Sequence, residues 1–248
     1  MKNYKPDIIH FHSSKAGYVG RLASLSLDCQ KYYTPHGYSF LNKGESKIKR
    51  FLYKTAEMLL SNTHVVTIAC GKAEFSEAIK ISKVVLCIEN GINTDRIDTL
   101  LRNNNLTEHQ FTVYTAGRIG SQKNPEMFNE IACQMPDIQF VWVGGGEVDF
   151  LIADNITVTG YVSRDDVIRL ADAYEVYLSC SLYEGLPIAL KEAMYMGKTC
   201  IFTDIEGNNE LIDSSCGMLF NSSAEGVECI QKAIDENMTC FQENARKK

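Results

Sequence analysis

The chain has 248 residues, which is enough for one large domain or two small ones. Hydrophobic residues make up 45% and charged residues 23% of the sequence, which is the balance typical of a globular protein. The net charge of −6 gives no general attraction to nucleic acid or to anionic lipid, and no apolar run approaches the roughly 20 residues that span a bilayer.

The first half of the chain alternates short apolar runs with helical patterns. The runs predict strands over residues 8–12, 31–34, 64–69 and 84–88, and the intervening patterns predict helices over residues 18–27, 47–60 and 72–80. Strands that alternate with helices are typical of a parallel, doubly wound sheet.

A basic cluster lies near the start of the helix predicted over residues 47–60. It contains Lys43, Lys47, Lys49 and Arg50, beside the apolar residues Ile48, Phe51 and Leu52. We interpret the cluster as a solvated helix face, and a local basic patch is the alternative.

A polar stretch over residues 93–110, with asparagine at positions 103–105, separates the two halves. We therefore predict one domain over residues 1–107 and a second over residues 108–248. The second half restarts the alternation. Strands are predicted over 111–116, 139–143, 156–159, 176–178, 199–203 and 217–220, and helices from Pro125, over 163–172, over 187–197, from Asn209 and over 224–237.

The stretch over residues 179–197 reads as a strand end, a sharp turn and a helix. Gly185 permits the turn, and Pro187 stands where the first helical residue is expected. The backbone N–H groups of Gly185 and Leu186 lack intrahelical acceptors, so they can bind an anion or a hydroxyl group. Glu184 and Glu192 bracket this turn as acceptors suited to a polyhydroxyl ligand, although two solvated glutamates would look the same.

A second anion site is predicted after the strand over residues 111–116. Arg118 follows Gly117 there, and Lys123 precedes the predicted helix start. Two cations beside a helix N-terminus favour an anion, with two solvated loop charges as the alternative.

These segments together resemble the retaining glycosyltransferases of group 1 (GT4), which have the GT-B fold. Glu184 and Glu192 match the family's E-x7-E motif. Other segments match in the same order along the chain: residues 34–37 with His36, residues 89–93 with Glu89 in place of the family's proline, Gly117-Arg118 with Lys123, the glycines 144–146, and Gly160-Tyr161-Val162.

The resemblance implies a GT-B-like α/β fold of two Rossmann-like, doubly wound parallel-sheet domains. The first domain is expected to be incomplete, because the family's opening strand and glycine-rich loop are absent, and the final helices look cut short. The implied site residues are His36 and Glu184 for catalysis; Arg118, Lys123, Gly185 and Leu186 for the donor diphosphate; Glu192, Tyr161 and Val162 for the ribose and base; and Gly144, Gly145 and Gly146 as the donor-side glycine loop.

The implied function is transfer of a hexose-type sugar, with retention, from a UDP- or GDP-sugar to a polysaccharide-precursor or lipid-linked acceptor. The resemblance also implies that the nucleotide sugar is a co-substrate and that neither a cofactor nor a metal takes part, and the absence of a D-x-D triplet fits a metal-free site. A sugar-nucleotide epimerase on the same fold and a non-catalytic nucleotide-sugar binding fragment are the alternatives.

The expected partners are the nucleotide sugar and a carbohydrate or lipid-linked acceptor, without nucleic acid. Nine scattered cysteines without C-x-x-C or zinc-like spacing indicate reduced thiols and a cytoplasmic protein. Peripheral contact with the inner face of the cell membrane is a further expectation. Self-association through the incomplete N-terminal sheet is another, because the strand at residues 8–12 would present an unpaired edge.

Overall fold

The chain folds around two parallel β-sheets. A computed structural model describes residues 5–42, 44–102, 104, 110–236 and 238–247. Its contacts divide the chain into two units, one of Met1–Asn90 with Tyr183–Leu186, and one of Gly91–Leu182 with Pro187–Lys248. Among the described helices, none is both long and apolar enough to cross a membrane.

The first unit has four strands in the order β1-β2-β3-β4, and each neighbouring pair is parallel. Its elements are β1 (Ile8–His12), α1 (Ser14–Ala23), β2 (Gln30–Thr34), α2 (Lys47–Leu60), β3 (Val66–Ala69), α3 (Lys72–Ala78) and β4 (Val85–Cys87). The predicted strands are therefore confirmed, and α2 has the predicted bounds. Helix α1 begins at Ser14 rather than at residue 18.

Two glycines let α1 approach the sheet closely. A Cβ atom on Gly17 would lie 2.3 Å from the ring of Tyr33, and one on Gly20 would lie 2.3 Å from the ring of Phe11. These small residues thus form the contact surface of α1 with β1 and β2. Strand β1 stands first in the sheet order, and Ile8 on it is exposed.

A buried ion pair joins α1 to α2. Arg21 donates from Nη2 to Glu57 at 2.7 Å, and Tyr33 donates its hydroxyl to the other oxygen of Glu57 at 2.8 Å. The guanidinium also lies 4.1 Å from the centre of the Tyr33 ring. Both charged side chains are almost completely buried, so each charge depends on the other for compensation.

The second unit has a six-stranded parallel sheet in the order β10-β9-β8-β5-β6-β7. Its elements are α4 (Thr94–Arg102), β5 (Thr112–Ala116), α5 (Pro125–Gln134), β6 (Gln139–Val143), β7 (Ile156–Val158), α6 (Arg164–Asp172), β8 (Val176–Ser179), α7 (Ile188–Tyr195), β9 (Thr199–Thr203), α8 (Glu206–Asn209), β10 (Met218–Phe220), α9 (Ser223–Asp235) and α10 (Thr239–Lys247). The strand order reverses between β5 and β8, and ligands in such sheets bind beyond the carboxyl ends of the strands at this point.

Two local predictions differ from the structure of this unit. The short helix expected to start at Asn209 instead ends there, because Asn208 donates its side-chain amide to the Thr203 carbonyl and anchors the turn earlier. Helix α7 begins at Ile188, and Pro187 is its N-cap in an extended conformation. Ser163, at the start of the helix predicted over residues 163–172, caps α6 and accepts from the Asp166 N–H at 3.2 Å.

The predicted domain boundary at 107/108 lies outside the described residues. Helix α4, which lies in the polar stretch that precedes this boundary, belongs to the second unit. Ile97 and Leu100 on α4 form a buried cluster with Ile168 on α6, and the Arg96 guanidinium binds both oxygens of Asp165 at 2.8 Å. The polar sequence after residue 93 did not indicate this packing, because the apolar stripe on α4 is narrow.

Candidate functional site

The turn after β5 and the glycine loop after β6 lie against each other in the second unit. A Cβ atom on Gly144 would lie 2.1 Å from the Gly117 carbonyl oxygen, and one on Gly146 would lie 2.2 Å from that of Ile119. The Ile119 N–H donates to the Gly145 carbonyl at 2.9 Å, and the Trp142 indole donates to the Gly117 carbonyl at 2.9 Å. Only glycine permits this approach, so the glycine run determines the shape of the turn that carries Arg118.

The two cations predicted to bind the diphosphate belong to this one turn. Arg118 is exposed, and its guanidinium passes 3.7 Å from the position of a Cβ on Gly120. The Lys123 ammonium lies 3.9 Å from the position of a Cβ on Gly117. Asn124 follows in a left-handed conformation, with φ of 52°, and α5 then starts at Pro125 as predicted. The turn therefore concentrates two positive charges at the carboxyl end of a central strand.

Tyr161, which belongs to the segment predicted to contact the base, packs against the glycine loop. A Cβ on Gly145 would lie 2.9 Å from two carbons of the Tyr161 ring, and that ring is otherwise exposed. Val162 is partly buried against the core of the same unit. A continuous series of contacts thus links the turn of Arg118 and Lys123, the three glycines and Tyr161.

Glu192, the predicted ribose ligand, is buried and paired with Arg164. The guanidinium donates to Glu192 Oε1 from Nε at 3.0 Å and from Nη2 at 2.5 Å. Both residues line a cavity of about 260 Å³, together with Asn93, Arg96, Ile97, Leu100, Asp165 and Ile168. Glu192 lines this cavity, and a carboxylate can accept hydrogen bonds from hydroxyl groups as well as from a guanidinium.

His36 lies in the first unit, in a constrained loop after β2. It has a positive φ of 54°, which is uncommon for a residue other than glycine. The buried Glu74 on α3 holds this loop, because it accepts from the Gly37 N–H at 2.6 Å and from the Cys70 N–H at 2.8 Å. Glu74 thus ties the residue after His36 to the start of α3.

Three histidine rings stand together beside this loop. His12 Nδ1 and His36 Nε2 lie 2.9 Å apart, and the ring centres of His10 and His12 lie 4.0 Å apart. Burial lowers the pKa of His36, His12 lowers it further, and the carboxylate of Glu74 opposes both effects. The pKa of His10 is lowered by burial and then by His12 and His36. Among the described residues, no group of three or more His, Cys, Asp or Glu side chains could hold a metal ion.

The loop Tyr183–Leu186 groups with the first unit although α7 groups with the second. A Cβ on Gly185 would lie 2.8 Å from Cys70 Sγ and 2.9 Å from the Gly37 nitrogen. The carbonyl carbon of Glu184 lies 3.6 Å from the position of a Cβ on Gly37, and Asn90 donates to the Leu186 carbonyl at 2.8 Å. The backbones beside His36 and Glu184, the two predicted catalytic residues, are therefore in contact.

The residues predicted to bind the donor diphosphate are divided between the two units. Arg118 and Lys123 belong to the second unit, and Gly185 and Leu186 to the first.

Three residues that support the site were not found from the sequence. Glu74 stands three residues after Gly71, a spacing typical of a helix N-terminus, but nothing local links it to Gly37. Arg164 and Asn90 act on residues far along the chain, at separations of 28 and 96 positions. Asn90 was part of the segment that resembles the family, whereas Arg164 carried no signal beyond its place in the cap of α6.

The fold and these surfaces define a class of protein. Each unit is a parallel α/β sheet, and the second has a basic turn and a glycine loop beyond the carboxyl ends of its central strands, as in nucleotide-binding doubly wound proteins. The family model described as "Glycosyltransferase Family 4" matches residues 1–96. The family model described as "Glycosyl transferases group 1" matches residues 110–236, which is more than half of the chain. The chain belongs to the group 1 glycosyltransferases of family GT4, which confirms the resemblance seen in the sequence.

A curated relative with a named activity is similar over most of the chain. It is the UDP-Gal:alpha-D-GlcNAc-diphosphoundecaprenol alpha-1,3-galactosyltransferase of Escherichia coli, 30% identical over 245 residues. The match covers 86% of this chain and 61% of that relative, so the chain spans less than two thirds of the relative's length.

Solved structures confirm the predicted GT-B fold. Sucrose-phosphate synthase from Thermosynechococcus elongatus has a TM-score of 0.82 at 19% identity, with 99% of this chain and 69% of that chain covered. Anabaena HepE, solved in complex with UDP and glucose, has a TM-score of 0.77 at 20% identity, with 97% of this chain and 72% of that chain covered. At such identities the likeness establishes the architecture of two parallel-sheet α/β domains and not the substrate.

Proposed function

We propose that this chain is the sugar-transferring part of a retaining glycosyltransferase. It moves a hexose-type sugar from a UDP- or GDP-sugar to a lipid-linked or polysaccharide-precursor acceptor. The similar Escherichia coli galactosyltransferase, whose name gives a UDP-sugar donor and a diphosphoundecaprenol-linked acceptor, supports this choice of substrates.

One observation carries the proposal: the turn with Arg118 and Lys123 is packed on the glycine loop at the carboxyl edge of the sheet. When the sugar leaves, negative charge grows on the diphosphate. Fixed cations stabilise that charge without reorganisation, so they lower the barrier to bond breaking. This role needs no metal, and a metal-independent reaction remains part of the proposal.

The other residues take roles that follow from their places. Glu192 accepts from the ribose hydroxyls, and Tyr161 and Val162 contact the base. Gly185 and Leu186 supply backbone N–H groups to the diphosphate. His36 and Glu184 act on the transferred sugar, and the contact between their backbones supports a shared role.

Glu184 and Glu192 give a direct test of this division. Glu192→Ala should weaken binding of the bare nucleotide, because the ribose is present in UDP or GDP alone. Glu184→Ala should leave nucleotide affinity unchanged and reduce binding and turnover of the nucleotide sugar. Isothermal calorimetry with UDP, GDP and the corresponding nucleotide sugars measures the affinities of both variants. Equal loss of UDP or GDP affinity in the two variants would refute the assignment.

An epimerase on the same fold and a non-catalytic binding module are the competing functions. Incubation of the purified protein with a panel of nucleotide sugars separates them. Transfer releases the nucleoside diphosphate and yields a glycosylated acceptor, whereas an epimerase changes the sugar of the donor. Binding without either product would favour the binding module.

A further inference from the structure

The ring of His12 contacts the ring of His36 in the first unit. His12 is the last residue of β1, and His36 follows the end of β2 by two positions. His12 Nδ1 and His36 Nε2 lie 2.9 Å apart, which is a hydrogen-bond distance, and the two ring planes are inclined by only 17°. Both residues are exposed, so burial is not what brings the two rings together.

The backbone fixes the two residues that carry these rings. In the register of β1 and β2, His12 stands opposite Thr34, which is the last residue of β2. On the other side of His36, Glu74 accepts a hydrogen bond from the Gly37 N–H at 2.6 Å. The chain is therefore held both before and after His36, and the contact between the rings follows from the fold of the unit.

His10 makes a second contact with the His12 ring. It lies two positions earlier in β1, so both side chains are on the same face of the sheet, and their ring centres are 4.0 Å apart. His10 Nε2 lies 2.9 Å from the hydroxyl oxygen of Thr34, which is buried. The His12 ring thus packs against a neighbour that is itself bound to β2.

The contact links the tautomers of His12 and His36. Two neutral imidazole nitrogens in a hydrogen bond share one proton, because one nitrogen donates and the other accepts. If His36 Nε2 accepts, the proton of that ring is on Nδ1, and if Nε2 donates, Nδ1 is an acceptor. In either case Nε2 is occupied by His12, and Nδ1 is the ring nitrogen that is left for a further partner.

The loop that carries Glu184 lies beside His36. The carbonyl carbon of His36 is 3.2 Å from the position of a Cβ on Gly185, the residue after Glu184. His36 therefore adjoins the other predicted catalytic residue, and His12 adjoins His36. This order of contacts places His36 next to the reacting groups and His12 behind it.

We infer that His12 is a positioning residue for His36, which it binds at Nε2 so that Nδ1 meets a hydroxyl group of the transferred sugar. The inference rests on the proposed function, in which His36 acts on that sugar. A ring that is already held in one orientation and one tautomer needs no rearrangement when the sugar binds. Such preorganisation lowers the barrier to transfer.

Variants at His12 test the inference with the full chain. The amide of Asn lies near the position of Nδ1 and can donate or accept, whereas the amide of Gln lies near the position of Nε2 and Phe has no polar atom. We expect His12→Gln and His12→Phe to lower kcat for transfer about 10–100-fold, with little change in KM for the donor. His12→Asn should retain kcat within about fivefold. Asn is unfavourable in strands, so an advantage of Asn over Gln would not come from strand propensity.

A double variant shows whether His12 acts through His36. His36→Gly removes the ring without backbone strain, because glycine readily adopts the positive φ of 54° at this position. His12→Phe combined with His36→Gly should have the kcat of His36→Gly alone. The control is His64→Asn, which removes an exposed histidine that precedes β3 at the opposite end of the sheet and should change kcat by less than about twofold.

Nuclear magnetic resonance reports the tautomer of His36 without any turnover. With isotope-labelled histidine, the two-bond couplings between ring protons and ring nitrogens distinguish a proton on Nδ1 from one on Nε2. The chain has five histidines, so single variants assign the signals. His36 should show one tautomer in the native chain and in His12→Asn, and a mixture of both in His12→Phe.

Four results would overturn the inference. They are an unchanged His36 tautomer in His12→Phe, equal kcat values for His12→Asn and His12→Gln, additive losses in the double variant, and a larger loss in His12→Phe than in His36→Gly. The last result would place His12 itself at the sugar. Absence of turnover in the native chain with every donor and acceptor would count against the proposed function, and the tautomer of His36 would then decide on His12.

Discussion

Arg164 donates two hydrogen bonds to a single carboxylate oxygen of Glu192, at 3.0 Å and 2.5 Å. The pair joins the start of α6 to the middle of α7, and Glu192 is buried while the Arg164 side chain is 60% exposed. Because both bonds end on Oε1, Arg164 leaves Oε2 to accept from other donors. The geometry indicates that Arg164 positions Glu192.

Arg164→Ala should therefore weaken UDP or GDP binding several-fold, and less than Glu192→Ala does. Charged hydrogen bonds contribute about 1.5–3 kcal/mol when shielded, and less for a guanidinium as exposed as this one. The double variant should equal Glu192→Ala alone, because Arg164 acts through Glu192. Arg169→Ala, which removes a charge from the same helix, is the control. Tighter binding in Arg164→Ala would mean that the pair competes with the nucleotide.

Replacement of Arg118 and Lys123 together by Ala should weaken nucleoside diphosphate binding by several kcal/mol, given about 1.5–3 kcal/mol for each charged hydrogen bond. Binding of the nucleoside alone should change little. Calorimetry gives both affinities. The variant with Arg169→Ala and Lys232→Ala removes the same total charge from α6 and α9 and serves as control. An unchanged UDP or GDP affinity in the first variant would remove the diphosphate assignment.

Gly144→Ala and Gly160→Ala together distinguish the stability cost of a steric clash from the stability cost of backbone strain. Both glycines have positive φ, 149° and 72°, but only Gly144 has an atom within 4 Å of a new Cβ. Gly160→Ala should cost about 1–2 kcal/mol from its conformation. Gly144→Ala should cost a further 1–3 kcal/mol or so, because the Gly117 carbonyl must move. Urea unfolding measures the difference, and similar losses would contradict the packing of the glycine loop on the turn.

His36 should titrate below the ordinary histidine pKa of 6.5. As pH falls through the window between 6.5 and this lower value, the unfolded chain binds more protons than the folded chain. The stabilisation that comes from the neutral His36 imidazole is therefore complete above pH 6.5. It is lost as the pH falls through the lowered pKa of the folded state. NMR titration of the ring protons gives the pKa. His12→Asn should raise it part of the way, since burial is the larger cause, and an unshifted His36 would contradict the loop environment.

Glu57→Gln should destabilise the first unit strongly, by about 3–5 kcal/mol, because Arg21 would remain buried without a counter-charge. The double variant Arg21→Met with Glu57→Leu should recover much of that loss, since no buried charge remains. The exposed pair of Lys49 and Glu45 provides a control, for which Lys49→Ala should cost no more than about 1 kcal/mol. Amide exchange in β2 and denaturant unfolding measure these effects. Equal cost at the two pairs would contradict the burial of Arg21 and Glu57.

Local pattern was enough to predict most elements of the fold. The apolar runs at β6 and β9 match the strands residue for residue, and α2 has its predicted bounds, because period and length distinguish buried strands from amphipathic helices. The order of short motifs along the chain identified the GT4 family. The same local pattern misplaced the helix near Asn209, where a side-chain hydrogen bond from Asn208 to Thr203 decides the turn.

The sequence by itself determined the two parallel α/β units, the turn with Arg118 and Lys123, and the family. Only the tertiary structure decided that Gly144 lies on Gly117, that Glu74 holds the loop of His36, and that Arg164 binds Glu192. These contacts join residues on different strands and helices, and they depend on strand order and helix packing, which leave no trace in local spacing. Only the tertiary structure decided, too, which apolar side chains of α2 are exposed. Helical periodicity cannot show which of two apolar faces packs against the sheet and which lies in solvent.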